Sequence, residues 1–339
     1  MKYLTILFLV FLIVSCDKTS EFKKAEYKPS KIDSLKTNRE IEDFIGEHDS
    51  LYRKFTLKKV QDIECNGCDT VLKNLANKLE VNYSWLKADL DNNGYTDLLV
   101  TGVNNTYTSD NTPPDLLVEY SREFNALVLM NFGADSVKLY DVTDGRYYGM
   151  VPKIEFIKKQ PFLVVYKPAK RLYGSKVILA QQKRTVLTYM FNDFIEYNPV
   201  QSTHEIEKIE YDTNGCFGSC PVFSIVVEND GKVIYSAKEF NYSREWQKGD
   251  LMSGTYKKVL STEELNEVLD KFTYLNFPKL QDNYNVTWTD DQTGTLKVTY
   301  DDGKVKTITD YGLQGTYGLR HIHKLFYDLR LSGGWEKVE

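Results

Sequence analysis

The chain has 339 residues, 43 Lys+Arg against 48 Asp+Glu, a formal net charge of −5 and 42% hydrophobic residues. An acidic balance with no sustained basic stripe argues against a nucleic-acid partner, and the length allows two modest cores. Only four histidines leave hydrolytic catalysis little to work with, while 24 tyrosines suit pleated strands, where the ring packs and the hydroxyl reaches water.

Met1-Lys2-Tyr3 is a short basic start, and residues 4–14 form an apolar run too short for a permanent membrane span. The run ends in Ile13-Val14-Ser15-Cys16, which resembles the lipobox of bacterial lipoprotein signal peptides. That resemblance implies a signal peptide over residues 1–16 and acylation of Cys16 by palmitate-type chains. Cys16 would then begin the mature protein, anchored to the inner or outer membrane of the cell envelope. No second apolar run of membrane length follows, so the lipid is the anchor. Residues 17–35 are polar and Lys-rich and read as a flexible tether.

Residues 36–200 read as an N-terminal α+β domain. A helix is expected over 38–53, with Ile41, Phe44 and Ile45 on one face, and a second after Asp69, carrying Leu72, Leu75, Ala76 and Leu79. From Tyr83 onward the pattern turns to strands. Leu98-Leu99-Val100, Ala126 to Met130 and Phe162 to Tyr166 are apolar throughout, so these strands are expected to be covered on both faces. Cys65-Asn66-Gly67-Cys68 precedes the second helix, the place where thioredoxin-like proteins keep their reactive pair. Thr112-Pro113-Pro114 falls about where that family sets its cis-proline. Against this, the preceding segment around Leu57 to Asp62 is no buried parallel strand, and no aromatic residue stands directly before Cys65. Thiol-disulfide exchange at Cys65/Cys68 therefore stands as the alternative to a structural disulfide or an idle pair.

The densest chemistry lies in Ala88-Asp89-Leu90-Asp91-Asn92-Asn93-Gly94-Tyr95-Thr96-Asp97. Asp89, Asp91, Asn93, the Tyr95 backbone carbonyl and Asp97 have the alternate spacing of calcium loops, with Gly94 permitting the sharp turn. No glutamate stands at position twelve, so the loop is not an EF-hand. It resembles instead the FG-GAP and VCBS-type loops of integrin-like repeats, whose last aspartate leads into a buried strand. Those proteins carry one copy per blade. Here Tyr140 to Gly145 and Tyr211 to Gly215 echo the loop without its alternation, so a propeller is not expected. The competing reading is an Asn-Gly turn decorated with carboxylates, although three uncompensated acids in nine residues repel one another unless a cation is present. One structural calcium ion is the expectation.

After the break at Tyr197-Asn198-Pro199-Val200, residues 201–339 read as a second α+β domain of antiparallel hairpins and two helices. Asn229-Asp230-Gly231 and Asp301-Asp302-Gly303 mark tight hairpins. Ser261-Thr262-Glu263-Glu264 is a capping box that opens one helix, and residues 317–331 form the last. Gly215-Cys216-Phe217-Gly218-Ser219-Cys220-Pro221-Val222-Phe223 resembles the opening of a bacterial domain family of unknown function, common in exported proteins, with a Cys-Phe-Gly-x-Cys-Pro-x-Tyr signature. Phe223 stands where that family often has Tyr, and the resemblance brings no activity. Gly218 lets Cys216 and Cys220 approach bonding distance, so a structural disulfide is expected ahead of a redox pair. Zinc is disfavoured, because nearly 150 residues separate the two cysteine pairs and no histidine lies near either. His321 and His323 point apart on a helix and do not share a metal.

The whole reads as a non-enzymatic, lipid-anchored envelope protein with structural calcium and structural disulfides, of α+β class. Its role would be to bind or scaffold an unidentified envelope protein or glycan. An inhibitor or immunity-type partner of another exported protein is a third possibility.

Overall fold

The computed structural model describes residues 23–64, 70–106, 124–134, 136–143, 149–171, 178–200, 203–244, 248–286 and 288–338. Cys16, Cys65, Cys68 and the segment around Pro113 lie outside these residues. Five helices and nineteen strands are described, in open sheets: the class is α+β, and among the described residues there is no closed barrel or propeller.

Helices α1 (Lys31–Ser34) and α2 (Asn38–His48) come first, followed by α3 (Thr70–Lys78). The first sheet holds β1 (Phe55–Leu57), β2 (Trp85–Ala88), β3 (Asp97–Asn104), β4 (Asn125–Asn131) and β5 (Val137–Asp141), in the order β1-β3-β4-β5 with β2 also on β3. The second holds β6 (Val151–Ile157), β7 (Gln160–Lys167), β10 (Lys183–Met190) and β11 (Asp193–Glu196), in the order β11-β10-β7-β6. The short pair β8 (Lys170–Arg171) and β9 (Ile178–Ala180) stands apart.

Strands β3 and β4 are buried on both faces, as their unbroken apolar runs require. Leu98, Val100, Leu127 and Leu129 pack against Ile32, Ile41, Phe44 and Ile45 of α1 and α2. Leu99, Ala126, Val128 and Met130 face the other way, into a core shared with Leu72 and Leu75 of α3 and Leu163 and Val165 of β7. Helix α2 stops at His48 rather than running to residue 53, because Asp49 turns extended and its carboxylate accepts from Leu51 N to start a 3-10 turn.

The third sheet is built from β12 (Ile206–Thr213), β13 (Val222–Glu228), β14 (Lys232–Arg244), β15 (Lys248–Val259), β16 (Asn283–Asn285), β17 (Thr293–Tyr300), β18 (Lys304–Tyr311) and β19 (Glu336–Lys337). Its order is β16-β18-β17-β12-β13-β14-β15-β19, antiparallel except where β16 joins β18. Helices α4 (Thr262–Leu275) and α5 (Tyr317–Leu331) cover one face. Both expected hairpins form, with Gly231 at φ +85° and Gly303 at φ +85°. The capping box is also in place: Ser261 Oγ accepts from Glu264 N, and the Glu264 carboxylate accepts from Ser261 N.

The two halves meet at the start of α5, which the sequence pattern does not announce. Glu196 of β11 accepts from Tyr317 N and Gly318 N, both at 2.8 Å, and so satisfies two of the free amides at the helix N-terminus. The Tyr317 ring sits in the N-terminal core, its hydroxyl donating to Val142 O at 3.0 Å. A Cβ at Gly318 would lie 2.0 Å from Leu275 Cδ2, so the glycine leaves room for the Leu275 side chain of α4 against α5.

Candidate metal centre

The 89–97 loop leaves β2 and re-enters the sheet at Asp97, the first residue of β3. Asp97 is completely buried; its Oδ2 accepts from Leu90 N at 2.7 Å and its Oδ1 from Asn131 N at 2.8 Å. Asp89 accepts from Asn93 N at 3.0 Å and Gly94 N at 2.9 Å through separate oxygens. Asp91 accepts from Asn93 N at 3.2 Å and Asn93 Nδ2 at 3.0 Å, while Asn93 Oδ1 accepts from Tyr95 N at 2.7 Å. Asn93 Nδ2 also donates to Asn131 O at 2.8 Å, which ties the turn to the end of β4. The Tyr95 ring packs where a Cβ at Gly133 would lie 2.4 Å from it.

One oxygen from each of Asp89, Asp91 and Asp97 lies within 4.8 Å of the others. Calcium takes oxygens at 2.3–2.6 Å, so ligands of one ion stand at most about 5 Å apart, and this trio meets that limit. Each carboxylate has about four lone-pair sites, so the backbone donors leave acceptor capacity on every one. Among the described residues no other group of three His, Cys, Asp or Glu side chains converges so closely.

The convergence is costly without a cation. Burial pushes the Asp97 carboxyl up to about 8; its backbone donors oppose the rise, and the neighbouring Asp91 and Asp89 charges add to it. Burial likewise takes Asp91 up to about 6, with the Asp89 charge contributing.

The stretch read as a tether is held down from Lys23 onward, and this strap crosses the loop. Ala25 N donates to Asn92 Oδ1 at 2.8 Å, Asn92 Nδ2 to Lys23 O at 3.1 Å, and Lys28 N to Gly94 O at 2.8 Å. Thr96 Oγ1 donates to Asp33 Oδ1 at 2.6 Å, and Ile32 and Leu35 enter the core beneath. Gly94, at φ +91°, is needed twice: for its left-handed backbone and because a Cβ there would stand 2.1 Å from Glu26 O. Sequence reasoning missed Asp33, Asn92 and Asn131 as supports of the loop. Asp33 meets the loop through the Thr96 hydroxyl, and Asn92 and Asn131 act through amide and backbone contacts, none of which leaves a periodic signal.

Cys216 and Cys220 form the expected disulfide, Cα to Cα 5.7 Å, at the mouth of β13. Phe217 at its tip is 89% exposed. His321 and His323 diverge as expected, His321 half-buried and His323 buried. His321 Nδ1 meets Asp193 at 3.2 Å, whereas His323 bridges Asp310, at 2.9 Å, and the Tyr211 hydroxyl, at 3.0 Å, inside the C-terminal core.

Residues 207–330 match the family model of a domain of unknown function (DUF6438). The match runs from β12 through almost all of α5 and supports a C-terminal domain of unknown function. Neither a curated protein nor a solved structure matches the chain.

Proposed function

We propose that the protein is a lipoprotein of the bacterial envelope, anchored through Cys16, with a non-catalytic binding or scaffolding role. Its N-terminal domain would be ordered by one calcium ion held by Asp89, Asp91, Asn93, the Tyr95 carbonyl and Asp97. Its C-terminal domain is stapled at Cys216–Cys220. The observation that carries the metal is the convergence of three carboxylates within 4.8 Å around a buried aspartate. Such a cluster is repulsive unless an ion or a proton neutralises it, and hard oxygen ligands suit calcium above zinc. The ion's part is structural: it would fix the turn into β3 and, through Asn92, Asn93 and Gly94, the strap laid across it.

The test is a thermal melt of the purified chain with calcium and with chelator. Calcium is expected to raise the midpoint in the wild type and leave Asp91→Ala unmoved; a wild-type melt indifferent to calcium sinks the metal. The partner is an envelope protein or glycan, sought by pull-down from envelope extract. Insulin reduction abolished by Cys65→Ser would replace the non-catalytic reading with a thiol-disulfide one.

A further inference from the structure

The strap and the β6–β7 hairpin form one face around a cavity of ≈ 350 Å³, lined among others by Lys24, Tyr27, Lys87, Phe156 and Lys159. Two rings stand in water here: Phe156 is 71% exposed and Tyr27 60%. The hairpin turn is Lys158-Lys159, at φ +49° and +71°. Paired left-handed residues suit a tight hairpin, but Asn-Gly adopts them with little penalty and lysine does not. Backbone strain at an exposed tip, beside an exposed phenylalanine, points to use of the side chains rather than to folding.

The charge is local. Lys23, Lys24, Lys158 and Lys159 are all exposed. Residues 17–31 hold five lysines against three acids, in a chain whose net charge is −5. Of the acids on this face, Glu26 is exposed. Asp33 is engaged by Ser30 and Thr96, and Asp89 by the Asn93 and Gly94 amides.

Position supplies the partner. The strap's hydrogen bonds to the 89–97 loop fix where the chain leaves the body. From Lys23 back to Cys16 the chain can reach about 25 Å at most, whereas a globule of this length is about 50 Å across. A lipid on Cys16 therefore keeps this face, and not the far side, next to the bilayer.

We infer that this face seats on an anionic phospholipid bilayer, with Phe156 entering the interface and Lys23, Lys24, Lys158 and Lys159 meeting lipid phosphates. The inference rests on the reading of Cys16 as the lipid anchor. An aromatic ring flanked by lysines is the side-chain chemistry of the membrane–water boundary, and each lysine near an anionic surface strengthens partitioning about five-fold.

The test uses the full chain purified from bacterial membranes and reconstituted into vesicles with brominated acyl chains. One set is phosphatidylcholine alone, the other phosphatidylcholine with phosphatidylglycerol. Tryptophan emission of the Phe156→Trp variant, read against the wild type, should be quenched in the anionic vesicles and not in the neutral ones. Added salt should weaken the quenching. Adding Lys158→Glu and Lys159→Glu should return it to the neutral level. Equal emission in both vesicles, or quenching indifferent to charge reversal, overturns the inference. Palmitate labelling of the wild type and Cys16→Ala reads the anchor separately. Label without quenching overturns the docking face alone, whereas absence of label removes the anchor and the docking face with it.

Discussion

Each half of the molecule opens a buried strand with a short loop, and the two loops are held by opposite physics. The 216–220 loop leads into β13 and is closed by a covalent bond, Cys216 to Cys220, with an exposed phenylalanine at its tip. The 89–97 loop leads into β3 and is closed by carboxylates that accept backbone amides while repelling one another. A disulfide acts chiefly on the unfolded chain and is indifferent to ions. A carboxylate cluster acts on the folded state and answers to whatever neutralises it. The first loop should therefore respond to reductant and the second to cations and pH, and each can be broken without the other.

The largest loss is expected at Asp97. Asp97→Ala strips the acceptor from two buried amides, Leu90 N and Asn131 N. At about 1–3 kcal/mol for each unsatisfied group, the loss is about 4 kcal/mol, read from urea unfolding. A loss below about 1 kcal/mol would show that the loop does not depend on this carboxylate. Next comes the contact that joins the halves: Tyr317→Ala empties a site in the N-terminal core and should cost at least about 3 kcal/mol. If other contacts still couple the halves, the single transition moves; if Tyr317 is what couples them, the variant splits it in two.

Calcium comes third. At a hundred times its dissociation constant, an ion bound only by the folded state adds about 2.7 kcal/mol, and Asp91→Ala should forfeit that gain. The pH response carries the same signature. A carboxyl whose folded pKa is raised contributes stability below its unfolded pKa and loses it as pH rises through the folded value. With Asp91 near 6 and Asp97 near 8, the ion-free protein should lose stability between about pH 4 and pH 8. Saturating calcium should flatten that slope, with protons released on binding. Calorimetry in buffers of different ionisation enthalpy counts them; no release above pH 6 would contradict both the shifts and the site.

How much of this was legible depends on the range of the interaction. The double burial of β3 and β4, the Ser261 capping box, the two Asp-Gly hairpins and the span of α5 follow from patterns within a few residues, and the structure carries them as read. The alternation around Gly94 likewise named the three aspartates that converge, Asp89, Asp91 and Asp97. The strap was misread because a segment held by amide-to-carbonyl bonds and two apolar anchors, Ile32 and Leu35, has the composition of a tether. Tyr317 and Glu196 were invisible for a different reason. A tyrosine at the first position of a helix looks the same whether it faces solvent or another domain. The acceptor that caps it lies 121 residues away in sequence.

The smallest effect completes the contrast. Closing five residues removes little chain entropy, and the loop-closure relation gives about 2 kcal/mol for the 216–220 staple. Cys216→Ser with Cys220→Ser should cost that amount in the presence or absence of calcium, leaving the calcium response intact. Asp91→Ala should conversely leave the cost of reduction unchanged. The two loops belong to separate cores, so the two losses should add within about 0.5 kcal/mol. A larger coupling, measured by a double-mutant cycle in urea, would mean that Tyr317 transmits strain from one core to the other. The two loops would then be parts of one device rather than two independent staples.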